Sequence, residues 1–161
     1  MHLMTLDPNG LAREVLKKYW DKKVPVDPVA ISKALGAQII SDANLGAISG
    51  QYQFTEHGPV IRFNPNEPPV RQRFTIAHEC GHYVLSHGNE FRDPSKNFSS
   101  SNFDLKEVAA NRFAAALLMP EEGVRHFIEA EGISDIRALA NKFFVSEAAM
   151  EYRLKNLGWI P

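Results

Sequence analysis

The sequence predicts an α+β fold in which a small three-stranded sheet packs against a mainly helical domain. Apolar side chains near the amino terminus recur at helical spacing, residues 37–63 change to strand-like runs separated by glycine and polar turns, and helical spacing then resumes to the end. With 161 residues and 44% hydrophobic content, the chain is long enough to bury one core. We therefore expect a single domain over residues 1–161.

Two short helices are predicted before the sheet. Asp7 and Pro8 begin the first, and Asp27 and Pro28 begin the second, because aspartate is a favourable N-cap and proline suits the first helical turn. Gly36 is placed to end the second helix, since glycine tolerates the left-handed conformation that follows many helices. Three strands are expected next, over residues 37–40, 47–54 and 59–63.

The third predicted helix follows the sheet. Pro68 and Pro69 suit its first turn, Asn66 is the expected N-cap, and Gly88 can close it. Apolar or small side chains that would face a core recur along it at helical spacing: Val70, Phe74, Ala77, Gly81 and Leu85.

Residues 75–82 of this helix read Thr-Ile-Ala-His-Glu-Cys-Gly-His, with two histidines four positions apart. On a helix such positions share one face, so His78 and His82 can both reach a single metal ion. Glu79 would then lie beside the metal, where a carboxylate can take a proton from a water molecule that zinc has activated. The pattern is typical of a zinc hydrolase, and a surface helix with solvated histidines is the alternative.

A catalytic zinc ion usually has three protein ligands and one open position. Glu107 is the candidate third ligand, in a predicted helix over residues 104–119 whose small side chains would let another helix approach closely. Asp104 and Glu107 also fit a capping box, in which the glutamate folds back onto the N-cap amide. The spacing alone leaves both roles of Glu107 open. Asn111, one turn further along, is placed to orient a ligand by a hydrogen bond.

The metzincin pattern does not fit this sequence. That class needs glycine three residues and histidine six residues after the second ligand, where this chain has Leu85 and Gly88. His87 is one position away from the required histidine. A site of two histidines and one glutamate is therefore the better interpretation.

Two further segments raise questions about the substrate. The strand with Gly50 and Tyr52 could align an extended peptide by main-chain hydrogen bonds, although an ordinary strand with a half-buried tyrosine is the simpler interpretation, and Tyr52 is left out of the catalytic set. The polar stretch over residues 89–102 joins the two ligand-bearing helices. A loop of that length is either filler or a lid over a site.

The C-terminal region contains a pair of predicted helices over residues 134–158, with the spacing of a helix-turn-helix. Phe144 stands where the turn of such motifs commonly has glycine. The second helix carries Glu147 and Glu151 against Arg153 and Lys155, which gives no net positive charge. We therefore interpret the pair as packed into the domain rather than as a DNA reader.

Two long blocks, residues 71–83 and 107–120, closely resemble the ImmA/IrrE family of zinc metallopeptidases. The match extends to residues 48–52, to residues 145–146 and to residues 153–158, so it covers most of the chain. Cys80 stands where the family more often has an aliphatic residue. That departure is small, because a thiol there behaves as a small hydrophobe.

The resemblance implies that His78, His82 and Glu107 bind one Zn²⁺ ion and that Glu79 is the catalytic base. It also implies regulated proteolysis of a protein substrate, typically a partner transcriptional repressor with a helix-turn-helix. A second hypothesis is a non-catalytic zinc-containing regulatory module that binds a partner repressor or DNA through its C-terminal helical pair.

Charge and composition narrow the partners and the compartment. A net charge of -1 gives no reason to expect direct nucleic-acid binding, which relies on clustered lysine and arginine. Neither a signal peptide nor a membrane-spanning apolar run is recognisable, so no membrane partner is expected. A single cysteine excludes an intramolecular disulfide, which makes the cytoplasm the expected location.

Overall fold

The computed structural model describes residues 7–86, 90–92 and 104–161. Within these residues it has the predicted α+β architecture, mostly helical with one small sheet, so the expected fold class is confirmed. The helices are α1 Pro8–Tyr19, α2 Pro28–Ala34, α3 Pro69–Val84, α4 Leu105–Leu118, α5 Glu121–Arg125, α6 Ile136–Phe143 and α7 Glu147–Leu157. The strands are β1 Gln38–Ser41, β2 Gly50–Thr55, β3 Gly58–Phe63 and β4 Glu90–Arg92.

The first two helices begin as their Asp-Pro pairs predict. The Asp7 carboxylate accepts the backbone N–H of Asn9, and the Asp27 carboxylate accepts those of Val29 and Ala30. Each side chain thereby satisfies amide donors that have no partner inside the helix. Gly36 follows α2 with a φ of 102°, a conformation that favours glycine.

The sheet has the strand order β1-β3-β2-β4. β1 pairs in parallel with β3, whereas β2 runs antiparallel to both β3 and β4. The three predicted strands are present, and β4 adds a fourth, short strand within the stretch expected to be a loop. Most of that stretch, and with it the possible lid, lies outside the described residues.

The start of α3 differs from the prediction. The helix begins at Pro69 with Pro68 as its N-cap, so the expected N-cap role of Asn66 is wrong. Asn66 instead lies in a turn, where its backbone N–H donates to the Asn64 side-chain oxygen at 2.9 Å. The helix ends at Val84, and the predicted terminator Gly88 lies outside the described residues.

α3 and α4 pack directly against each other at the centre of the molecule. A methyl group added to Gly81 would lie 3.1 Å from the Phe113 ring and 3.2 Å from the Ala110 carbonyl oxygen, so the glycine permits a close approach. Almost the whole second half of α4 is buried. α1 contributes further buried side chains to the same core: Ala12, Val15 and Leu16.

The C-terminal pair α6 and α7 is fastened to both central helices. Arg73 of α3 donates to the carbonyl oxygens of Phe143 and Phe144 at 3.2 and 3.1 Å. Arg153 of α7, which is 5% exposed, donates to the carbonyl oxygen of Met119 just after α4. These contacts support the interpretation of a packed pair. No helix in the described parts of the chain combines the length and apolarity needed to span a bilayer.

Candidate metal centre

The three predicted ligand side chains meet between α3 and α4. His78 Nε2 lies 3.1 Å from His82 Nε2 and 3.1 Å from Glu107 Oε1, and His82 Nε2 lies 2.8 Å from Glu107 Oε2. Both histidine rings are fully buried, and the glutamate side chain is 17% exposed. The pair on one helix and the carboxylate on its neighbour therefore converge on one point.

The spacing and chemistry of these atoms fit a divalent metal ion. Ligand atoms about 2.0 Å from a tetrahedral zinc ion are about 3.3 Å apart, close to the separations found here. The set consists of imidazole nitrogens and a carboxylate, which are the usual protein ligands of zinc. These three residues form the group of potential metal ligands found within the described parts of the chain.

Asn111 orients the first of the two imidazoles. Its side-chain oxygen lies 2.8 Å from His78 Nδ1 and can only accept, so we assign the proton to Nδ1. That tautomer leaves the lone pair of His78 Nε2 facing His82 and Glu107. The hydrogen bond expected for Asn111 from its position is thus present, and its geometry suits a metal-binding histidine.

The electrostatics of the cluster favour an ionised Glu107. Burial would by itself raise the pKa of this carboxyl group. In the absence of a metal ion, hydrogen bonds and positive charge from His78 and His82, when these rings also carry a proton on Nε2, hold the pKa well below its usual range. A carboxylate in that state can bind a cation without first losing a proton. The Glu107 carboxylate can therefore pair either with a protonated imidazole or with a metal ion.

The Glu107 side chain faces the histidine pair and not the N-cap of its own helix. Its two carboxylate oxygens face the two histidines, at 3.1 and 2.8 Å. Asp104 is nevertheless the N-cap of α4, because its carboxylate accepts the backbone N–H of Lys106 at 2.9 Å. The helix start is thus capped by Asp104 while Glu107 points to the cluster.

Glu79 lies on α3 with its side chain fully buried. It faces β2, since a methyl group added to Gly50 would lie 3.3 Å from Glu79 Oε2 and 2.4 Å from the Thr75 side chain. Gly50 therefore allows β2 to approach α3 closely. Glu79, which is predicted to act as a base, follows His78 in the chain, and its carboxylate faces β2 of the sheet.

The start of β2 does not offer the free edge that alignment of an extended peptide requires, which favours the simpler interpretation of an ordinary strand. Residues 50–52 pair with β3 on one side and with β4 on the other. Tyr52 is 3% exposed and packs against Tyr83, with ring centroids 5.8 Å apart. Burial, and then Tyr83 and Cys80, raise the pKa of Tyr52. Its ring thus belongs to the hydrophobic core.

Two other residues of the motif have notable surroundings. Cys80 is fully buried, and burial raises the pKa of its thiol to about 11, which agrees with its interpretation as a small hydrophobe. Thr75 is 1% exposed, and its hydroxyl has no hydrogen-bond partner within the described residues. The sequence alone assigns no role to Thr75. Its position one helical turn before Glu79 is the feature of the sequence that places it beside the proposed base.

Comparisons with known proteins point to one family. A family model described as Peptidase_M78, IrrE N-terminal-like domain, matches residues 33–155. The chain is 33% identical over 110 residues to the radiation response metalloprotease IrrE of Deinococcus radiodurans. The matched segment covers 66% of this chain and 33% of that relative. The chain thus spans about a third of the length of this relative.

A phage protein and a solved structure are also similar. Uncharacterized immunity region protein 2 of Bacillus phage phi105 is 25% identical over 141 residues, covering 88% of this chain and 89% of that relative. A Mycobacterium tuberculosis transcriptional regulator superposes with a TM-score of 0.65 over 92% of this chain and 46% of its own. At 17% identity, that likeness concerns the fold alone.

Proposed function

The chain belongs to the ImmA/IrrE family of peptidases, and from this we propose that it is a zinc-dependent metallopeptidase that cleaves a protein substrate. The observation that carries the proposal is the convergence of His78, His82 and Glu107, with Glu79 next to the first ligand in the chain. The metalloprotease name of the Deinococcus relative supports the same reaction class.

Each side chain has a distinct role in this proposal. His78, His82 and Glu107 hold one zinc ion, which when bound supplies a Lewis acid for the attacking water and the scissile carbonyl. Glu79 takes the proton that water loses as its oxygen adds to the carbonyl carbon. The carboxylic acid then returns that proton to the departing amine nitrogen as the carbon–nitrogen bond breaks. Asn111 fixes the orientation of His78 throughout.

We propose a partner transcriptional repressor as the substrate, cleaved in regulated proteolysis in the cytoplasm. The phage relative is named for an immunity region, which supports a setting of repressor control. The single cysteine, buried in the core, suits a reducing compartment. The alternative of a module that binds DNA through the C-terminal helical pair finds less support, because Arg137 and Lys155 pair with glutamates of the same two helices and Arg153 donates to the Met119 carbonyl oxygen.

The proposal is tested with the zinc-loaded protein and the repressor encoded beside its gene. Glu79→Gln should bind one zinc ion per chain and lose about 10²–10⁴-fold in cleavage rate, since general acid–base catalysis contributes on that order. His78→Ala should lose both zinc and cleavage. Zinc is measured by atomic absorption and cleavage by the appearance of discrete fragments.

Glu151→Gln is the matched control, because this glutamate is half-exposed on α7 and pairs only with Lys155 in the described contacts. It should retain both zinc and cleavage. Full activity of Glu79→Gln would contradict the proposed base. Absence of fragments with the wild-type protein across candidate repressors, despite bound zinc, would favour the non-catalytic alternative.

A further inference from the structure

The hydroxyl group of Thr75 lacks the partner that buried hydroxyls normally have. Thr75 lies on α3, 1% exposed, and its Oγ1 makes no hydrogen bond within the described residues. A helical threonine can usually donate to the carbonyl oxygen of the preceding turn, which here does not happen. A buried polar atom without a partner costs free energy, so its presence calls for an explanation.

Thr75 and Glu79 both lie against β2 at Gly50. They lie four residues apart on α3, and side chains at that spacing are neighbours on one helical face. A methyl group added to Gly50 would lie 2.4 Å from Thr75 Cγ2 and 3.3 Å from Glu79 Oε2. The Thr75 methyl group thus already fills the space that a side chain at position 50 would take, and Glu79 Oε2 lies beside it. A rotation about χ1 that puts Oγ1 where Cγ2 now lies would turn the hydroxyl toward the part of β2 that Glu79 Oε2 also faces.

A hydroxyl group suits the changing protonation of a glutamate that accepts and returns a proton. It can donate to the carboxylate and accept from the carboxylic acid by rotating its own O–H bond. An ammonium or guanidinium group can only donate, and it would favour the charged form of Glu79. Threonine is thus a neutral partner for both states.

We propose that Thr75 is a positioning residue for Glu79, whose carboxyl group its hydroxyl hydrogen-bonds when a ligand occupies the metal centre. This inference rests on the proposed function, in which Glu79 is the proton acceptor. Thr75 itself touches neither substrate nor metal. Its effect is to hold the carboxyl group in one orientation while the proton moves.

The test compares Thr75→Val with Thr75→Ser in the zinc-loaded full chain. Acetohydroxamic acid is the probe, because it chelates zinc through two oxygens and gives up a proton that the neighbouring carboxylate can take. By calorimetry, Thr75→Val should bind it about two- to tenfold more weakly, the loss expected for one hydrogen bond between neutral groups, since Glu79 then carries the proton. Thr75→Ser should bind it as the wild type does. Zinc affinity should be unchanged in both variants.

Thermal unfolding of the same proteins should give the opposite order. Thr75→Val replaces an unpartnered buried hydroxyl by a methyl group, so its melting temperature should be equal to or above that of the wild type. Thr75→Ser loses the methyl group that packs against Gly50, so its melting temperature should fall. A merely structural role of Thr75 would make hydroxamate binding follow stability.

Ser32→Ala is the matched control, since Ser32 has a fully buried hydroxyl on α2 that faces Cys80 rather than Glu79. It should bind the probe normally. Equal binding of acetohydroxamic acid by Thr75→Val and wild type would overturn the role of Thr75 and leave the peptidase proposal intact. Wild-type protein that binds zinc and the probe but cleaves no repressor would contradict the peptidase proposal, while the binding comparison still decides the role of Thr75.

Discussion

At the scale of single residues, the orientation of His78 depends on one amide side chain. Asn111 accepts from His78 Nδ1 at 2.8 Å, and both groups are carried by helices that pack against each other. Without that acceptor, the ring could turn about its side-chain bonds and the proton could move to Nε2. The nitrogen that faces Glu107 would then no longer offer its lone pair.

We therefore expect Asn111→Ala to weaken zinc binding by about 10–100-fold, the usual effect of losing a partner of a metal-binding histidine. Asn111→Asp keeps an acceptor at the same place and should bind zinc more tightly than Asn111→Ala. Competition with a chromogenic chelator measures both affinities. Equal affinity of Asn111→Ala and wild type would show that helix packing alone orients the ring.

Cys80 links burial to the stability of the protein at alkaline pH. Burial raises the pKa of its thiol from the ordinary 9.0 to about 11, so the unfolded chain loses this proton first as the pH rises. The resulting stabilisation is complete below about pH 9 and declines between about pH 9 and pH 11. The sign follows because ionisation between these values favours the unfolded state.

Cys80→Ala should accordingly lose less stability than the wild type between pH 8 and pH 10.5. A shift of this size corresponds to about 2 kcal/mol over that interval, since each pKa unit is about 1.4 kcal/mol. Urea unfolding of both proteins at the two pH values measures the difference, and groups common to both cancel. Parallel loss of stability would mean that the thiol ionises in the folded protein as it does in the unfolded chain.

At the scale of secondary-structure elements, the metal centre depends on how closely α3 and α4 approach. Gly81 and Phe113 are in contact across this interface, and Ala110 lies beside them. Glu107 is one turn before Ala110 on α4, so the separation of the two helices sets the distance from its carboxylate to the histidines. A wider separation would move the third proposed ligand away from the other two.

Gly81→Leu should therefore reduce zinc affinity more than its effect on stability explains. Overpacking of this kind costs about 1–3 kcal/mol. Gly123→Leu is the matched control, because a methyl group there would lie 3.2 Å from the Phe143 ring, away from the ligand residues. Both variants should melt at lower temperature, and only Gly81→Leu should bind zinc weakly in chelator competition. Equal zinc affinity of the two variants would show that the separation of α3 and α4 does not control the distances between the proposed ligands.

The elements also show what local sequence can and cannot predict. Helical spacing alone places His78 and His82 on one face, and Asp-Pro pairs mark helix starts through local capping. The role of Glu107 could not be decided in this way, since it depends on the contact between α3 and α4. β4 escaped prediction because three residues in a polar stretch carry no periodic pattern, and its pairing with β2 is a tertiary contact.

At the scale of the whole molecule, the C-terminal helices and the metal centre are parts of one packed core. Arg73 donates to Val26 and to the end of α6, and Arg153 donates to Met119 beyond α4. The side chains of α6 and α7 belong to the same hydrophobic cluster as those of α3 and α4. Metal binding between α3 and α4 should thus also stabilise the packing of α6 and α7.

Zinc binding should stabilise this core as one cooperative unit. At a free zinc concentration one hundred times the dissociation constant, the gain is about 2.7 kcal/mol, or about 5–10 °C in melting temperature for a chain of this size. Trp159, which packs against the core after α7, can report that change once Trp20→Phe removes the other tryptophan. On adding zinc, the melting temperature followed by Trp159 fluorescence and the melting temperature followed by far-ultraviolet circular dichroism should rise together. In His78→Ala, zinc should raise neither melting temperature. A zinc-dependent rise seen by circular dichroism but not by Trp159 fluorescence would mean that residues 134–158 unfold as a separate domain.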